Sequence, residues 1–422
     1  SPGSPTSYGC SGMFSDIQSF FVARAPMGRR LTAFPLPWTF CPGQLLFCPT
    51  EGCEMEDRDY MALALELAEQ GAGWTCPNPM VGAVLVKDGR IIGQGYHHRC
   101  GELHAEREAL AACTEDPAGS TLYVTLEPCC HQGRQPPCTD AVLDAGIRRV
   151  VVGTTDPNPL VGGKGIARLR EHGVEVTVGV LEEECHALNR FFFHYIRTRR
   201  PYVVMKYAMT MDGKIAAYTG DAKWITGEAA RAHVHRLRHR CRGILVGVGT
   251  VLADDPMLNC RLPGGRDPVR IICDSHLRTP LTARVVTTAR EIPTILATCE
   301  TDPARHAPYQ AAGCRVLPLP ERAGEVDLGA LLDALGDLEM DSLLLEGGGT
   351  LNWSFLEQGL VQSVCAYIAP KLLGGASAKS PVEGTGVPSP QAAFFLKNTR
   401  IQTLGEDILL ESEVDDRVYG DR

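Results

Sequence analysis

The chain has 422 residues, of which 44% are hydrophobic and 22% are charged, and its formal net charge is −9. These values are typical of a soluble globular chain with two or three domains, and no apolar run reaches the roughly 18 residues of a membrane span. The acidic balance argues against nucleic acid or an anionic membrane as the main partner, because both are negatively charged. The 17 cysteines form no compact framework, which is typical of a reduced cytosolic or organellar protein.

Residues 1–54 differ from the rest of the chain, because they are rich in Ser, Pro, Cys and Phe and show no periodicity. We expect this extension to lie outside the catalytic fold. Three interpretations stay open: an upstream stretch translated from a wrong start, an organelle transit segment, or a functional tail. Met55, directly before the first helical pattern, favours the first, whereas Arg24, Arg29 and Arg30 among serines are typical of the second. The compartment, cytoplasmic or organellar, depends on the answer.

Two different α/β segments follow the extension. A helical pattern from Asp57 to Gln70 precedes strands and further helices in alternation. The basic run IRTRRP, which ends at Pro201, separates this segment from the next one. We therefore predict two α/β domains, residues 55–199 and 200–422. Their predicted strands are, in chain order, MVGAVLV, RIIGQGY, TLYVTLE, RVVVGTT and GVEVTVGV, then YVVMKYAMT, CRGILVGVG, VRIICDS, PTILAT, CRVLPL, SLLLEG and VCAYIAPKLL.

The sharpest chemical signal is a pair of short motifs in the first domain. HAE at residues 104–106 and EPC at residues 127–129 match the two halves of the zinc deaminase signature, in which zinc activates a water molecule and a Glu that is not a ligand transfers protons. The match makes His104 and Cys129 candidate ligands and Glu106 the candidate general acid and base. An ordinary buried histidine with packed thiols is the alternative, but all the motif elements occur in the order and context that the signature requires.

A catalytic zinc site needs a third protein ligand and an open position. The generic signature places this ligand three residues after the first Cys, where this chain has Gln132, which is not a zinc ligand. Cys138 is the better candidate, because the preceding loop HQGRQPP is rich in turn residues that return the chain to the metal, and Cys130 is its competitor. We also expect one helix to begin at His104 and a second near Cys129, so that their N-termini help to keep the thiolates ionised.

The second domain carries weaker signals of its own. Glycine-rich turns follow two predicted strands, at residues 247–249 and 347–349, where backbone amides could approach a phosphate group. Glycine after a strand commonly marks nothing more than a turn, and there is no GxGxxG motif to support a Rossmann fold. The residues alone therefore leave the chemistry of this domain open.

Longer segments carry a family resemblance. They are NPMVGAV (78–84), GYHHRCGELHAE (95–106), TLYVTLEPCCHQGRQPPC (121–138), DPNPLVGGKGI (156–166), MKYAMTMDGKIA (205–216), GDAKWITG (220–227), GVGTVLADDPMLNCR (247–261) and LLLEGGGTLN (343–352). From about Met55 to Val414 the chain resembles the bifunctional deaminase/reductase family of riboflavin biosynthesis. The resemblance implies an α/β chain with a cytidine-deaminase-like three-layer domain and a dihydrofolate-reductase-like domain, the cofactors Zn²⁺ and NADPH, and a homo-oligomer.

The resemblance also implies roles for individual residues. Cys138 becomes the third zinc ligand. The implied substrate-binding residues are Asn78, His97 and Arg134 in the deaminase domain and Lys206, Arg238, Leu258, Arg261 and Glu346 in the reductase domain. The implied cofactor-binding residues are Ala208, Trp224, Thr250, Asp254, Ser275, Gly348, Gly349, Thr350, Leu351, Asn352, Trp353 and Ser354. The chain departs from the family pattern at Cys130, at Gln135 and at Ala222, where the family commonly has a Ser that contacts the substrate.

Two consecutive reactions follow from the resemblance. The first is the zinc-dependent hydrolytic deamination of 2,5-diamino-6-ribosylamino-4(3H)-pyrimidinone 5′-phosphate, and the second is the NADPH-dependent reduction of the ribosyl group of 5-amino-6-(5-phosphoribosylamino)uracil to ribityl. A nucleic-acid or nucleoside deaminase is one rival, against which the acidic charge and the spacing of the cysteines argue. A noncatalytic protein with structural zinc is another, but such a site is normally closed by four protein ligands and has no use for Glu106.

Overall fold

A computed structural model describes residues 55–131, 136–158 and 162–415. The extension of residues 1–54 and the predicted substrate residue Arg134 lie outside the described residues, as does the departure at Gln135. None of the helices in the described ranges is long and apolar enough to cross a membrane.

The first domain is built on a five-stranded sheet. Its strands are β1 (Gly82–Lys87), β2 (Arg90–Tyr96), β3 (Thr121–Leu126), β4 (Arg149–Thr154) and β5 (Glu175–Val178). The strand order is β2-β1-β3-β4-β5, in which β1 is antiparallel to both neighbours and β3, β4 and β5 are parallel. Three of the five strands, β1, β3 and β4, are almost entirely buried, as strands covered on both faces require.

Helices cover both faces of this sheet. They are α1 (Asp57–Glu69), α2 (Ala105–Ala111), α3 (Cys138–Asp144), α4 (Lys164–Glu171), α5 (Glu182–Leu188) and α6 (Arg190–Thr198). On one face Met61 of α1 and Cys185 of α5 pack against Val84 of β1. On the other face α2, α3 and α4 contribute buried side chains such as Ala109 and Leu169. The domain therefore has the predicted three layers.

The second domain is built on a nine-stranded sheet with a separate small hairpin. Its strands are β6 (Tyr202–Thr210), β7 (Gly243–Gly247), β8 (Val269–Cys273), β9 (Thr294–Thr298), β10 (Arg315–Pro318), the hairpin β11 (Glu321–Arg322) and β12 (Glu325–Val326), then β13 (Ser342–Leu345), β14 (Ser363–Ala369), β15 (Leu396–Leu404) and β16 (Asp407–Val414). The order is β10-β9-β8-β7-β13-β6-β14-β16-β15, parallel as far as β14 and antiparallel beyond it.

The helices of the second domain connect these parallel strands. They are α7 (Glu228–Arg240), α8 (Val248–Asp254), α9 (Arg284–Thr287), α10 (Pro303–Ala312), α11 (Leu328–Asp337) and α12 (Gly349–Glu357). Leu331 of α11 and Phe355 of α12 pack on one face of the sheet with Leu345 of β13. On the other face α7 contributes Leu237, which packs with Val204 of β6. β13 follows β12 in the chain, but it lies between β7 and β6 at the centre of the covered sheet.

Each predicted strand is present, but two hairpins and one helix differ from expectation. The short β11–β12 hairpin was not predicted. The β15–β16 hairpin was not predicted, because most of β15 is exposed and its sequence, LKNTRIQTL, has too few apolar residues to signal a strand. The prediction of a helix that begins near Cys129 was wrong, because α3 begins at Cys138, with Pro137 at its N-cap. The helix expected at His104 is confirmed, since His104 is the N-cap of α2.

The two domains pack against each other through α6. Phe191 of α6 is buried in the same apolar cluster as Tyr202 of β6. The Tyr195 hydroxyl donates a hydrogen bond to the Gly336 carbonyl of α11 at 3.1 Å. An ion pair between Arg240 Nη1 and Glu69 Oε1, 2.5 Å apart, joins the end of α7 to the end of α1.

Candidate active sites

Three of the predicted residues form a compact cluster of metal-binding side chains. The candidate ligand atoms of His104, Cys129 and Cys138 all lie within 4.8 Å of one another. His104 Nδ1 is 3.6 Å from the Cys129 sulfur and 3.3 Å from the Cys138 sulfur. One nitrogen and two sulfurs are the donors that zinc prefers, and three protein ligands leave a position open for a reacting molecule. The donor set therefore fits a catalytic zinc ion.

The chain fold brings these ligands together from three separate elements. His104 is the N-cap of α2, Cys129 lies three residues beyond the end of β3, and Cys138 is the first residue of α3. Hydrogen bonds from the Cys138 side chain, His104 and the Cys138 backbone N–H, the last at 3.3 Å, lower the pKa of Cys129. A thiol that ionises readily is prepared to bind a cation.

Glu106 is buried beside this cluster in the first turn of α2. Burial raises the pKa of Glu106 to about 7, with a further contribution from the nearby Cys129 thiolate. A carboxyl group with a pKa near neutrality can both take up and release a proton, which is what a residue that serves first as base and then as acid requires.

Asn78 and His97 form a second hydrogen-bonded pair next to the cluster. His97 Nδ1 donates to the Leu103 carbonyl at 2.9 Å, so that Nε2 accepts from the Asn78 amide at 3.2 Å. Burial lowers the pKa of His97, in keeping with a neutral ring. The rings of His97 and His104 meet edge to face with their centroids 5.5 Å apart. The structure thus places His97 against a candidate zinc ligand and Asn78 against His97.

Glu127 has a structural role that the motif match did not anticipate. Its carboxylate accepts hydrogen bonds from the backbone N–H groups of Asp156, Gly163, Gly165 and Ile166, at 2.9 to 3.2 Å. The carboxylate therefore caps the N-terminus of α4 and anchors the loop that precedes it. A Cβ atom at Gly165 would lie 2.1 Å from the Pro128 carbonyl oxygen, which explains the glycine in this segment. Glu127 and Pro128 directly precede Cys129, so these contacts anchor the chain that leads to the candidate ligand.

The second site lies at the carboxyl edge of the large sheet, where the central parallel strands β7, β13 and β6 end. Glu346, directly after β13, accepts hydrogen bonds from Lys206 Nζ at 3.2 Å and from Arg238 Nε and Nη2 at 2.8 and 3.1 Å. Burial alone would raise the pKa of Glu346, but the charges of Arg238 and Lys206 hold it well below its usual range. These three predicted substrate residues form one buried ionic cluster.

Replacing Glu346 with Gln is expected to destabilise the second domain, because two buried cations would lose their counter-charge. Breaking one side of a buried ion pair costs about 3 kcal/mol or more, which lowers the melting temperature of a domain of this size by roughly 6–12 °C. Differential scanning calorimetry of the full chain would measure the change. Asp333→Asn is the control, since the Asp333–Arg200 pair is exposed and its loss is expected to have almost no effect. An unchanged melting temperature in Glu346→Gln would contradict the prediction.

Leu258 and Arg261 lie in a loop beside this cluster. Leu258 is buried and has a left-handed backbone conformation, with φ 53°. The Asn259 carbonyl accepts a hydrogen bond from Arg238 Nη1 at 3.1 Å, which ties the loop to the cluster. The side chain of Arg261 is exposed. The loop therefore presents one apolar and one basic side chain at the edge of the same site.

Most of the predicted cofactor residues lie around the start of α12. Gly348 is its N-cap, and residues 349–354 form its first turns. The N-terminus of a helix favours a phosphate group, because free backbone N–H groups and the helix dipole face it. A Cβ atom at Gly349 would lie 2.5 Å from Glu383 Cγ and 2.6 Å from the Ser380 carbonyl oxygen, so only glycine fits there. This close packing brings residues 380–383 against the helix start.

The side chains of this segment have different surroundings. Asn352 is fully buried and donates to the Pro381 carbonyl at 2.8 Å, and Trp353 packs against Phe394 and the backbone of Gly384. Thr350 is exposed, whereas Leu351 and Ser354 are half-buried. Backbone groups and the exposed Thr350 are thus the parts of this segment open to a cofactor.

The remaining predicted cofactor residues are spread along the same sheet edge. Ala208 lies in β6, and Thr250 and Asp254 lie at opposite ends of α8. Trp224 is 62% exposed, and the Arg231 guanidinium lies 4.7 Å from its ring centroid. The Ser275 hydroxyl is buried, where it donates to Glu325 and accepts from the Val326 N–H.

Two family models match the chain. Residues 54–154 match the cytidine and deoxycytidylate deaminase zinc-binding region, and residues 201–410 match the RibD C-terminal domain. Together with the His-Cys-Cys cluster, these matches define a bifunctional enzyme, in which a zinc-dependent deaminase is fused to a reductase that uses a nicotinamide cofactor.

Relatives that match this chain over nearly the whole of their own length identify the family. The riboflavin biosynthesis protein RibD of Actinobacillus pleuropneumoniae is 55% identical over 357 residues, which are 85% of this chain and 95% of the relative. RibD of Escherichia coli strain K12 is 41% identical over 369 residues, 84% of this chain and 99% of the relative. The chain belongs to the RibD family of bifunctional deaminase/reductases, and the predicted function in riboflavin biosynthesis is confirmed.

Solved structures agree with this assignment. RibD of Acinetobacter baumannii, form 1, superposes with a TM-score of 0.77 at 36% identity and covers 85% of this chain and 99% of its own. A diaminohydroxyphosphoribosylaminopyrimidine deaminase/5-amino-6-(5-phosphoribosylamino)uracil reductase from Thermotoga maritima superposes with a TM-score of 0.74 at 38% identity, covering 85% of this chain and 99% of its own. The predicted fold class, a deaminase-like domain followed by a reductase domain, is confirmed.

Proposed function

We propose that residues 55–199 deaminate 2,5-diamino-6-ribosylamino-4(3H)-pyrimidinone 5′-phosphate and that residues 200–422 reduce the ribosyl group of the product, 5-amino-6-(5-phosphoribosylamino)uracil, to ribityl. Residues 1–54 belong to neither domain. The observation that carries the first half is the convergence of His104, Cys129 and Cys138 beside the buried Glu106. The ionic cluster at the carboxyl edge of the second sheet supports the other half.

In the deaminase domain, His104, Cys129 and Cys138 hold zinc, which when bound supplies Lewis acidity at a water molecule. Glu106 takes a proton from that water and returns it to the departing amine, so that ammonia leaves as a neutral molecule. Asn78 binds the pyrimidine, and the hydrogen bond to His97 Nε2 orients its amide. Arg134 completes the substrate contacts.

In the reductase domain, Arg238 and Arg261 bind the sugar phosphate, because guanidinium groups offer forked donors to phosphate oxygens. Glu346 orients Arg238 and Lys206. Lys206, the cation in β6, supports protonation of the sugar oxygen as the ring opens. Leu258 forms the apolar wall of this site.

The cofactor of the reductase is NADPH, which when bound supplies the hydride that reaches C1 of the sugar. Ala208, Trp224, Thr250, Asp254 and Ser275 would hold the cofactor at this sheet edge, and the N-terminus of α12 would bind one of its phosphates. Ser275 acts through its backbone or through the β11–β12 hairpin, since its hydroxyl is bonded within the protein. We further propose that the working form is a homo-oligomer.

The full chain, supplied with the diaminopyrimidinone ribosylamine phosphate, tests these proposals. Ammonia release and the oxidation of NADPH or NADH are followed separately, and sedimentation gives the oligomeric state. We expect ammonia release without any nicotinamide, followed by oxidation of NADPH in preference to NADH once it is added. A zinc-loaded chain that releases no ammonia would overturn the substrate assignment. A steep salt dependence of binding to tRNA would instead favour the nucleic-acid deaminase.

A further inference from the structure

His235 is a half-buried histidine on the face of α7 that also carries Arg238, one helical turn further on. It is not among the residues that the family resemblance implies. Its surroundings are the ionic cluster and the loop that bears Leu258 and Arg261, both of which belong to the proposed reductase site.

Three contacts hold residues 259–261 of that loop against α7. Arg238 Nη1 donates to the Asn259 carbonyl at 3.1 Å, and the Cys260 thiol lies 3.4 Å from the His235 carbonyl oxygen. The backbone N–H of Arg261 donates to His235 Nδ1 at 3.3 Å. Of the three, only the last is a hydrogen bond from the backbone of a predicted substrate residue to a side chain of the helix.

The hydrogen bond from Arg261 to His235 requires one protonation state of the histidine ring. Nδ1 can accept a hydrogen bond only when it carries no proton, so the ring must be neutral with its proton on Nε2. Burial and the positive charges of Arg238 and Arg261 lower the pKa of His235, whereas Glu346 opposes and Lys206 adds to the effect. At neutral pH the ring is therefore held in the form that accepts from Arg261.

The charges around the ring indicate what the site binds. Lys206, Arg238 and Arg261 carry three positive charges and Glu346 carries one negative charge, which leaves an excess of two. A phosphate monoester carries close to two negative charges at neutral pH. The excess of two positive charges matches such a group. Arg261 is the one of the three cations whose side chain is exposed, so its orientation depends on how its backbone is held.

We propose that His235 is a positioning residue of the reductase site, whose Nδ1 holds the backbone of Arg261 so that the guanidinium reaches the 5′-phosphate of the substrate. The inference rests on the proposed function of the second domain. Protonation of His235 turns Nδ1 into a donor, which breaks the contact with Arg261 and weakens phosphate binding. The residue acts through Arg261 and makes no contact with the reacting carbon.

The test compares His235→Leu, which removes the acceptor, with His235→Asn, whose side-chain oxygen lies near the place of Nδ1. Arg236→Gln, an exposed neighbour on α7, is the matched control. Two readouts are used with the full chain: the KM and kcat of reduction, and calorimetric binding of ribose 5-phosphate, which needs no turnover.

We expect His235→Leu to raise the KM and weaken ribose 5-phosphate binding about five- to tenfold, the size expected for one hydrogen bond, with kcat changed less than about twofold. His235→Asn and Arg236→Gln should stay near wild type. The wild-type KM should rise as the pH falls below about 6.5, more steeply than that of His235→Asn, which shares the titration of the substrate phosphate but has no ring to protonate.

Unchanged ribose 5-phosphate binding in His235→Leu would overturn the inference, whether or not the chain reduces its substrate. A lower melting temperature with equal losses in His235→Asn and His235→Leu would also overturn it, since that pattern indicates a role in folding alone. Failure of the proposed function would give a different result. The wild type itself would not oxidise NADPH, while the difference in ribose 5-phosphate binding between the variants would persist.

Discussion

Replacing Glu106 with Gln should lower the rate of ammonia release about a thousandfold and leave the rest of the molecule intact. General acid and base catalysis contributes factors of roughly 10² to 10⁴, and Gln keeps the size of the side chain while it removes the titrating group. The side chain is buried, so the substitution also removes the carboxyl whose pKa burial raises to about 7. Ammonia release from the diaminopyrimidinone substrate is the measurement.

The control for this experiment is Glu108→Gln. Glu108 lies in the same helix, α2, two residues further on, and packs beside Gly95 of β2. Its replacement should leave ammonia release near the wild-type rate. Both variants should retain zinc and reduce the deaminated substrate at the wild-type rate, because that reaction belongs to the other domain. Ammonia release in Glu106→Gln within tenfold of wild type would exclude Glu106 as the proton-transfer residue.

Replacing Cys138 with Ser should remove the metal. The site has three protein ligands, and serine is a far weaker zinc ligand than a thiolate, so the zinc content should fall from about one ion per chain to nearly none. Ammonia release should fall below detection, whereas NADPH oxidation with the deaminated substrate should continue. Metal analysis after dialysis and the two activity assays measure these effects separately.

Cys130→Ser is the matched control, since Cys130 is the competing ligand in the sequence. It lies next to Cys129 but is not in the cluster of ligand atoms, which contains Cys138 instead. The variant should keep zinc and both activities. Zinc loss in Cys130→Ser together with zinc retention in Cys138→Ser would reverse the proposed assignment. Loss of the folded deaminase domain along with the metal would favour a structural role for zinc.

The deaminase site shows how much of a metal site residue types and spacing can predict. Zinc chemistry demands His and Cys ligands and a nearby Glu, so the motifs at residues 104–106 and 127–129 were readable without a structure. The choice between Cys130 and Cys138 depends on the path of the intervening loop. In the folded chain the Cys138 sulfur is 3.3 Å from His104 Nδ1. Glu127, taken from the motif alone, was not expected to cap α4.

The reductase site shows which features a single sequence does not predict. The glycine-rich turns at residues 247–249 and 347–349 are 100 residues apart and weak signals singly, but β7 and β13 are adjacent parallel strands, so both turns lie at one edge. Glu346, Lys206 and Arg238 come from three different elements, and nothing in their spacing indicates a cluster. His235 has no motif at all.

Residue types and local patterns were enough to predict the two-domain α/β organisation, twelve of the sixteen described strands and the chemical nature of the zinc site. Apolar periodicity and metal chemistry are properties of residues close together in the chain. Contacts made only in the folded chain set the position of β13 in the second sheet, the four-amide cap by Glu127 and the contact between His235 and Arg261. These features depend on pairings between distant segments, whose free energy comes from burial and hydrogen bonding that exist only after the sheets have assembled.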